Sequence, residues 1–134
     1  MTMPTTADDV PRHIPIEVVR TNTILYCREW EPTMRFYRDG LSLPVTHESE
    51  WFIEFHVAGM SYLSIADSAR ATIDDVEGQG VTLSWQVTDL AATRRRLLGR
   101  GLDPSDIRDI WNARACHLFD PEGHRIELWA QEDG

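Results

Sequence analysis

Two histidines and two carboxylates stand at spacings that could do chemistry together: His56, His117, Glu54 and Glu127. An imidazole beside a carboxylate can move a proton near neutral pH, help hold a divalent metal, or fix one polar group of a bound molecule. Whether they meet depends on the register of two hairpins. Ala113–Phe119, the turn Asp120-Pro121-Glu122-Gly123 and Arg125–Gln131 read as strand, turn and strand. If Phe119 pairs with Arg125, His117 lies opposite Glu127. The same construction around Gly59 sets His56 opposite Ser64, which makes His56 and His117 equivalent. A slip of one residue would turn all of these groups to the other face. The plainer alternatives are a strand histidine satisfied locally and a Glu127 that pairs with Arg125 or Arg114. His124 belongs to the turn and is expected at the surface, while His13 and His47 have no partner pattern. Cys27 and Cys116 sit in apolar runs without metal-type spacing and read as buried, reduced thiols.

The elements that must position these groups follow from periodicity. Residues 1–17 carry Pro4, Pro11 and Pro15 and read as a loose arm. Val18–Cys27 is a strand signal, and Pro32 after Glu29 and Glu31 opens a helix carrying Trp30, Met34, Tyr37 and Leu41 at helical spacing up to Gly40. Strand signals follow at Leu43–His47, Trp51–Val57 and Tyr62–Ala66. A polar linker at 67–80, with Gly78 and Gly80, separates these from Val81–Val87, a further strand. Asp89 caps a second helix that carries Leu90, Leu97 and Leu98. Ile107–Trp111, Ala113–Phe119 and Arg125–Gln131 complete the chain.

The order strand–helix–strand–strand–strand therefore occurs twice, with Asn22–Glu29 falling on Thr82–Asp89 at an offset of 60 residues. Two similar modules, 18–66 and 81–131, within one domain over 18–134 explain that repeat. Two helices are too few for a doubly wound parallel sheet, which needs one per crossover.

Composition limits the partners. The chain has 134 residues, 42% of them hydrophobic, enough for a core without disulfides or structural metal. Its formal charge of −9 and the scarcity of clustered cations argue against nucleic acid. Arg94-Arg95-Arg96 with Arg100 reads as a solvated helix face. No apolar run approaches membrane-spanning length, and the polar N-terminal stretch lacks a secretory h-region. A cytoplasmic setting is the default expectation.

Three segments together resemble the vicinal oxygen chelate superfamily, which includes glyoxalases, bleomycin resistance proteins and extradiol dioxygenases. They are Asn22–Glu29 followed by Phe36-Tyr37-Arg38-Asp39-Gly40-Leu41, then Val87-Thr88-Asp89-Leu90, then Phe119-Asp120-Pro121-Glu122-Gly123-His124-Arg125-Ile126-Glu127-Leu128. The resemblance implies an α+β fold in which two βαβββ modules form an incomplete eight-stranded, cup-like mixed sheet with the helices outside. It also implies a homodimer, in which modules of two chains can complete each cup.

Family members that use a metal place ligands at four related strand positions. Here those positions hold Asn22, Ser64, Thr82 and Glu127, of which only Glu127 is a strong ligand. No metal or cofactor is expected at that site. Alternation then supplies a cup lining. Asn22, Ile24 and Tyr26 face it from the first strand, Thr82, Ser84 and Gln86 from the strand at 81–87, and Arg125, Glu127 and Trp129 from the last. In Trp51–Val57, residues Trp51, Ile53, Phe55 and Val57 form an apolar face, which leaves Phe52, Glu54 and His56 on the other. The expected ligand-binding set is Asn22, Tyr26, Glu54, His56, Ser64, Thr82, Gln86, His117, Glu127 and Trp129, with Trp51 and Trp111 as further stacking candidates.

Three functions fit this lining. The first is a protein that binds a small aromatic or cationic molecule in the cup, with the two carboxylates raising the histidine pKa values. The second is a lyase, isomerase or dioxygenase of the same superfamily, working through His117 and Glu127 as acid and base or through an unusual metal set. The third is an interaction subunit with a filled cup.

Overall fold

The computed structural model describes residues 15–110 and 112–131, so the arm up to residue 14, His13, Trp111 and the last three residues lie outside it. Strand β1 (Thr21–Cys27) leads to helix α1 (Trp30–Arg35), which widens into a π turn over Phe36–Gly40. Strands β2 (Val45–Glu48), β3 (Phe52–Ala58) and β4 (Ser61–Asp67) complete the first module. The second module repeats the order with β5 (Thr82–Gln86), α2 (Leu90–Gly99), β6 (Arg108–Ile110), β7 (Ala113–Phe119) and β8 (Arg125–Gln131).

Each module forms its own four-stranded mixed sheet, in the orders β1-β4-β3-β2 and β5-β8-β7-β6. The eight strands of the expected α+β fold are thus contributed four by each βαβββ module, with no closed barrel among the described residues. In each, the first strand runs parallel to the last, while the remaining neighbours are antiparallel. A hairpin cannot place the first strand beside the last in parallel; the module's helix makes that crossover.

Alternation sorts the two faces of each sheet as the pattern requires. Leu25, Cys27, Ile53, Phe55, Leu63 and Ile65 turn toward α1, and Leu83, Cys116, Leu118, Ile126 and Leu128 turn toward α2. All of these belong to a single buried cluster, with Met34, Tyr37, Leu90 and Leu97 from the helix side. The two modules thus share one core through their helix-bearing faces.

Polar contacts reinforce that junction. The Glu122 carboxylate, in the β7–β8 turn, accepts hydrogen bonds from the backbone N–H groups of Arg28 and Glu29 at 3.0 and 2.7 Å, just before α1. Helix α1 has no side-chain cap of its own, so the other module supplies one. Helix α2 is capped conventionally, by the Asp89 side chain accepting from the Ala92 N–H at 3.0 Å.

The turn also corrects one expectation. His124 is buried at 3% exposure, with its Nδ1 2.8 Å from Asp120 Oδ2. Asp120 Oδ1 meanwhile accepts from the backbone N–H groups of Glu122, Gly123 and His124. A buried carboxylate needs donors, and His124 is drawn inward to supply one. Among the described residues, no helix is long and apolar enough to cross a membrane.

Candidate functional site

The outward faces of the two sheets carry the groups the sequence singled out. On the first sheet, Asn22 and Tyr26 alternate with the buried Leu25 and Cys27. Glu54 and His56 alternate with the buried Ile53 and Phe55. Ser64 sits between them on β4 and is fully buried.

These groups form one polar cluster. Ser64 Oγ donates to Asn22 Oδ1 at 2.8 Å, and Asn22 Nδ2 donates to Glu54 Oε2 at 3.3 Å. Arg20 reaches Glu54 Oε1 at 2.6 Å, and Thr46 donates to the same oxygen at 2.8 Å. The Arg20 hydrogen bond, with help from Thr46, holds Glu54 below the ordinary carboxylate range, against the opposing pull of burial. The Arg20 guanidinium also lies 3.6 Å from the centre of the Tyr62 ring. Glu54 is therefore already neutralised from within.

The register corrects the expected pairing of His56. Glu54, not His56, stands opposite Ser64, while His56 pairs with Tyr62. The turn closes with Ala58 opposite Ser61, one residue short of the expected pairing, and a bulge between His56 and Ala58 adds a second, so the offset is two residues in all. The face is preserved, because two is the period of a strand. The His56 ring meets the Gly59 carbonyl at 2.8 Å and packs against Tyr62, a local role in the turn. Glu54 is accordingly the counterpart of His117.

An aromatic recess lies farther along the same face. Ile24, Tyr26, Trp51, Phe52 and Ala66 line it together with Arg70, Ala71 and Thr72, and it encloses about 280 Å³. Trp51 meets Phe52 at a centroid distance of 5.8 Å, an edge-on contact. Alternation alone assigns Trp51 to the core-facing side of its run. It precedes the first residue of β3, however, so strand alternation does not govern it.

On the second sheet, His117 pairs directly with Glu127, and Phe119 with Arg125. Ser84 Oγ donates to Glu127 Oε1 at 3.3 Å, and Arg125 stands 3.5 Å from Glu127 Oε2. The His117 ring approaches Ser105 Oγ through Nδ1 at 3.2 Å. Burial, then the charges of Arg125 and Arg108, hold the His117 pKa below the ordinary imidazole value, with Glu127 pulling weakly the other way. The expectation of raised histidine pKa values does not hold for His117, because burial and two arginines outweigh the single carboxylate near it.

Thr82 and Gln86 are exposed on β5, and Trp129 is half-buried on β8, next to Gln86 in the register. Thr82 and Gln86 also border a groove of about 650 Å³ between β5 and the β1–β4 edge of the first module. The structure thus brings together Asn22, Glu54 and Ser64 on one sheet, and His117 and Glu127 on the other. It places the two groups beside separate recesses, one lined from the first sheet and one from the second.

Arg108 carries no sequence signal for a place in this site. Its position opposite Ala115 puts it on the face of His117, yet β6 is only three residues long and offers almost no alternation to read.

The four positions where family members carry metal ligands are poor in donors. Asn22 and Ser64 are engaged with each other and with Glu54, Thr82 offers a neutral hydroxyl, and Glu127 is held by Ser84 and Arg125. One carboxylate among an amide and two hydroxyls does not make a divalent-metal site, which wants several anionic or imidazole donors converging.

Comparisons place this architecture among known proteins. The sequence profile described as glyoxalase/bleomycin resistance protein/dioxygenase superfamily matches residues 18–128. A glyoxalase/bleomycin resistance protein/dioxygenase from Nocardioides superposes with a TM-score of 0.74 at 21% identity, over 89% of this chain and 87% of that one. An antibiotic binding protein from Streptomyces sp. CB03234 gives 0.72 at 18% identity, over 90% and 100%. A lactoylglutathione lyase from Agrobacterium tumefaciens gives 0.69 at 16% identity, over 87% and 95%. A search of curated protein sequences returned no match.

Proposed function

Because the chain belongs to the glyoxalase/bleomycin resistance protein/dioxygenase superfamily, we propose that it binds a small, planar aromatic molecule on the outward faces of its sheets, without a metal at the family's usual position. The observation that carries this reading is the recess walled by Ile24, Tyr26, Trp51 and Phe52. Aromatic walls with a few polar groups nearby are the usual form of a small-molecule site. Tyr26, Trp51 and Phe52 offer stacking surfaces at little entropic cost.

A cationic ligand finds less support than an aromatic one. Glu54 is satisfied by Arg20 and Asn22, and Glu127 faces Arg125, so neither carboxylate waits for an external cation.

Two copies would complete the site. The helix-bearing faces of the sheets are spent on the shared core, and the outward faces keep apolar groups at the surface, including Ile24 at 38% exposure and Phe119 at 55%. A second copy that laid its second sheet over the first sheet of its partner would cover both recesses at once. The resemblance to an antibiotic binding protein agrees with a sequestering role.

An enzymatic reading draws on one observation, the direct pairing of His117 with Glu127, which could supply an acid and a base. It requires turnover, whereas the binding reading requires only saturation.

Titration with naphthamide, a neutral planar probe, followed by tryptophan fluorescence, tests the binding reading. Saturable binding that Tyr26→Ala and Trp51→Ala each weaken about tenfold is the expected result, on the scale of a lost stacking contact. Affinity unchanged in both variants would overturn it. Sedimentation equilibrium tests the pairing of copies, and a monomer at micromolar concentration would refute it.

A further inference from the structure

The outward face of the second sheet inverts the charge of the molecule. The chain as a whole carries −9, yet the recess between β6, β7 and β8 is bordered by Arg108 and Arg125 against the one carboxylate of Glu127. The register fixes all of these groups on one side: Arg108 pairs with Ala115, His117 with Glu127, and Arg125 with Phe119. His117 thus lies two residues along β7 from the partner of each arginine. Arg125 is only loosely engaged, 3.5 Å from a Glu127 that Ser84 also holds, and the neighbouring Asp109 faces Arg114 at 3.6 Å.

We propose that Arg108, Arg125 and the Nε2 of His117 form a recognition site for the carboxylate of an aromatic acid. The inference rests on the binding reading above and adds the charge of the ligand to it.

Three features carry it. The recess has a volume of about 50 Å³, too small for a ring system but of the right scale for one polar group. Every one of the chain's 13 cations is an arginine, whose planar fork matches a carboxylate through two parallel hydrogen bonds. His117 is anchored through Nδ1 by Ser105, whose hydroxyl also accepts the His117 backbone N–H at 2.9 Å. The anchoring leaves Nε2 as the nitrogen available to a ligand. An incoming carboxylate selects the tautomer that carries hydrogen there, so the ring can donate while remaining uncharged.

An isolated pair of arginines around one carboxylate would ordinarily be read as an ion-pair network. The 3.5 Å contact between Arg125 and Glu127 is too long for a strong hydrogen bond, so Arg125 keeps donors to spare. A ligand carboxylate would take those donors while Ser84 continues to hold Glu127.

The experiment compares naphthoate with naphthamide, which share a ring system and differ in charge, by fluorescence titration at matched ionic strength. Naphthoate should bind at least about tenfold more tightly, the scale of one added charge-assisted hydrogen bond. Arg125→Gln and Arg108→Gln should each reduce naphthoate toward the affinity of naphthamide while leaving naphthamide itself unchanged. Arg108→Lys should recover part of the difference, and thermal melts of the variants report that they remain folded.

Equal affinity for the two probes in the wild-type protein would overturn the anion site and leave the aromatic reading standing. A separate arm needs no aromatic body: sodium phosphate should shift the His117 ring resonances in proton NMR beyond sodium chloride of equal ionic strength, and should not do so in the double variant. If naphthamide fails to bind, the aromatic reading falls, and the phosphate arm still decides whether this face recognises an oxyanion. His117 resonances that do not respond to phosphate overturn the proposal.

Discussion

The hydroxyl of Tyr37 donates a 2.7 Å hydrogen bond to Oδ2 of Asp120, 83 residues away in sequence and in the other module. Both side chains are buried, Tyr37 completely and Asp120 to 4% exposure, and Oδ2 also meets the His124 ring. Burial and the neighbouring Asp120 charge push the Tyr37 phenol well above its ordinary pKa.

Tyr37→Phe should therefore cost about 1–3 kcal/mol, the usual penalty for removing one partner of a buried hydrogen bond. Asp120→Ala should cost more, because it also strands His124 and three backbone N–H groups. Urea denaturation of both variants measures this, and an Asp120→Ala midpoint equal to wild type would contradict the interlock.

Gly78 should tolerate no side chain. Its φ is +78°, and a Cβ there would sit 2.4 Å from the backbone carbon of Gly123, in the same turn that holds Asp120. Gly80 has a similar φ of +83° but open space around it. Gly80→Ala should cost about 1 kcal/mol through backbone strain alone, and Gly78→Ala considerably more. Equal melting temperatures for the two variants would show that the linker does not press on the turn.

Neither cysteine should react with a thiol reagent while the protein is folded. Burial, then the charges of Glu122 and Asp120, raise the Cys27 thiol far above its ordinary range, and burial raises Cys116. The thiolate is the reactive form, so modification at pH 8 should wait for unfolding. Rapid stoichiometric labelling of the native protein would disprove the placement of Cys27 beneath α1.

His117 sets a pH dependence whose sign is fixed. Its pKa is lower in the folded chain than the ordinary value of 6.5, so between those two values the unfolded chain binds more protons. The stability it contributes is present above pH 6.5 and is lost as pH falls from there toward the folded value. Arg125→Gln should move the His117 midpoint, read by NMR titration, upward toward the ordinary value. A downward movement would mean that arginine charge is not among the causes.

Much of the fold and part of the site are legible in the residues themselves. Strands β7 and β8 begin and end where their alternation and the Asp-Pro-x-Gly turn require, and the tightness of that turn puts His117 opposite Glu127. The first hairpin departs by two residues from the pairing that Gly59 suggests, one from the place of the turn and one from a bulge, and neither leaves a mark in the hydrophobic pattern. His124 has the sequence signature of a surface turn residue because its partner, Asp120, is buried by Tyr37 from the other module, a contact that periodicity cannot encode. The paired recesses are hidden for a similar reason. Alternation tells which face a side chain occupies, but not which way two sheets turn relative to each other.

The single cluster that joins Leu25, Ile53 and Phe55 to Leu118, Ile126 and Leu128 bears on how the chain comes to be folded. Although the sequence repeats itself and each sheet packs its own helix, the buried side chains of the two repeats form one continuous cluster, and Asp120 and Glu122 of the second repeat hold Tyr37 and the start of α1 in the first. Half a chain expressed alone would break that cluster and strand those polar groups, and it should aggregate or stay molten. The whole chain should melt in one cooperative step, with calorimetric and van't Hoff enthalpies in agreement. Such mutual dependence also restricts divergence: the two halves are free to drift apart in what their outward faces recognise, but their inward faces can change only in step.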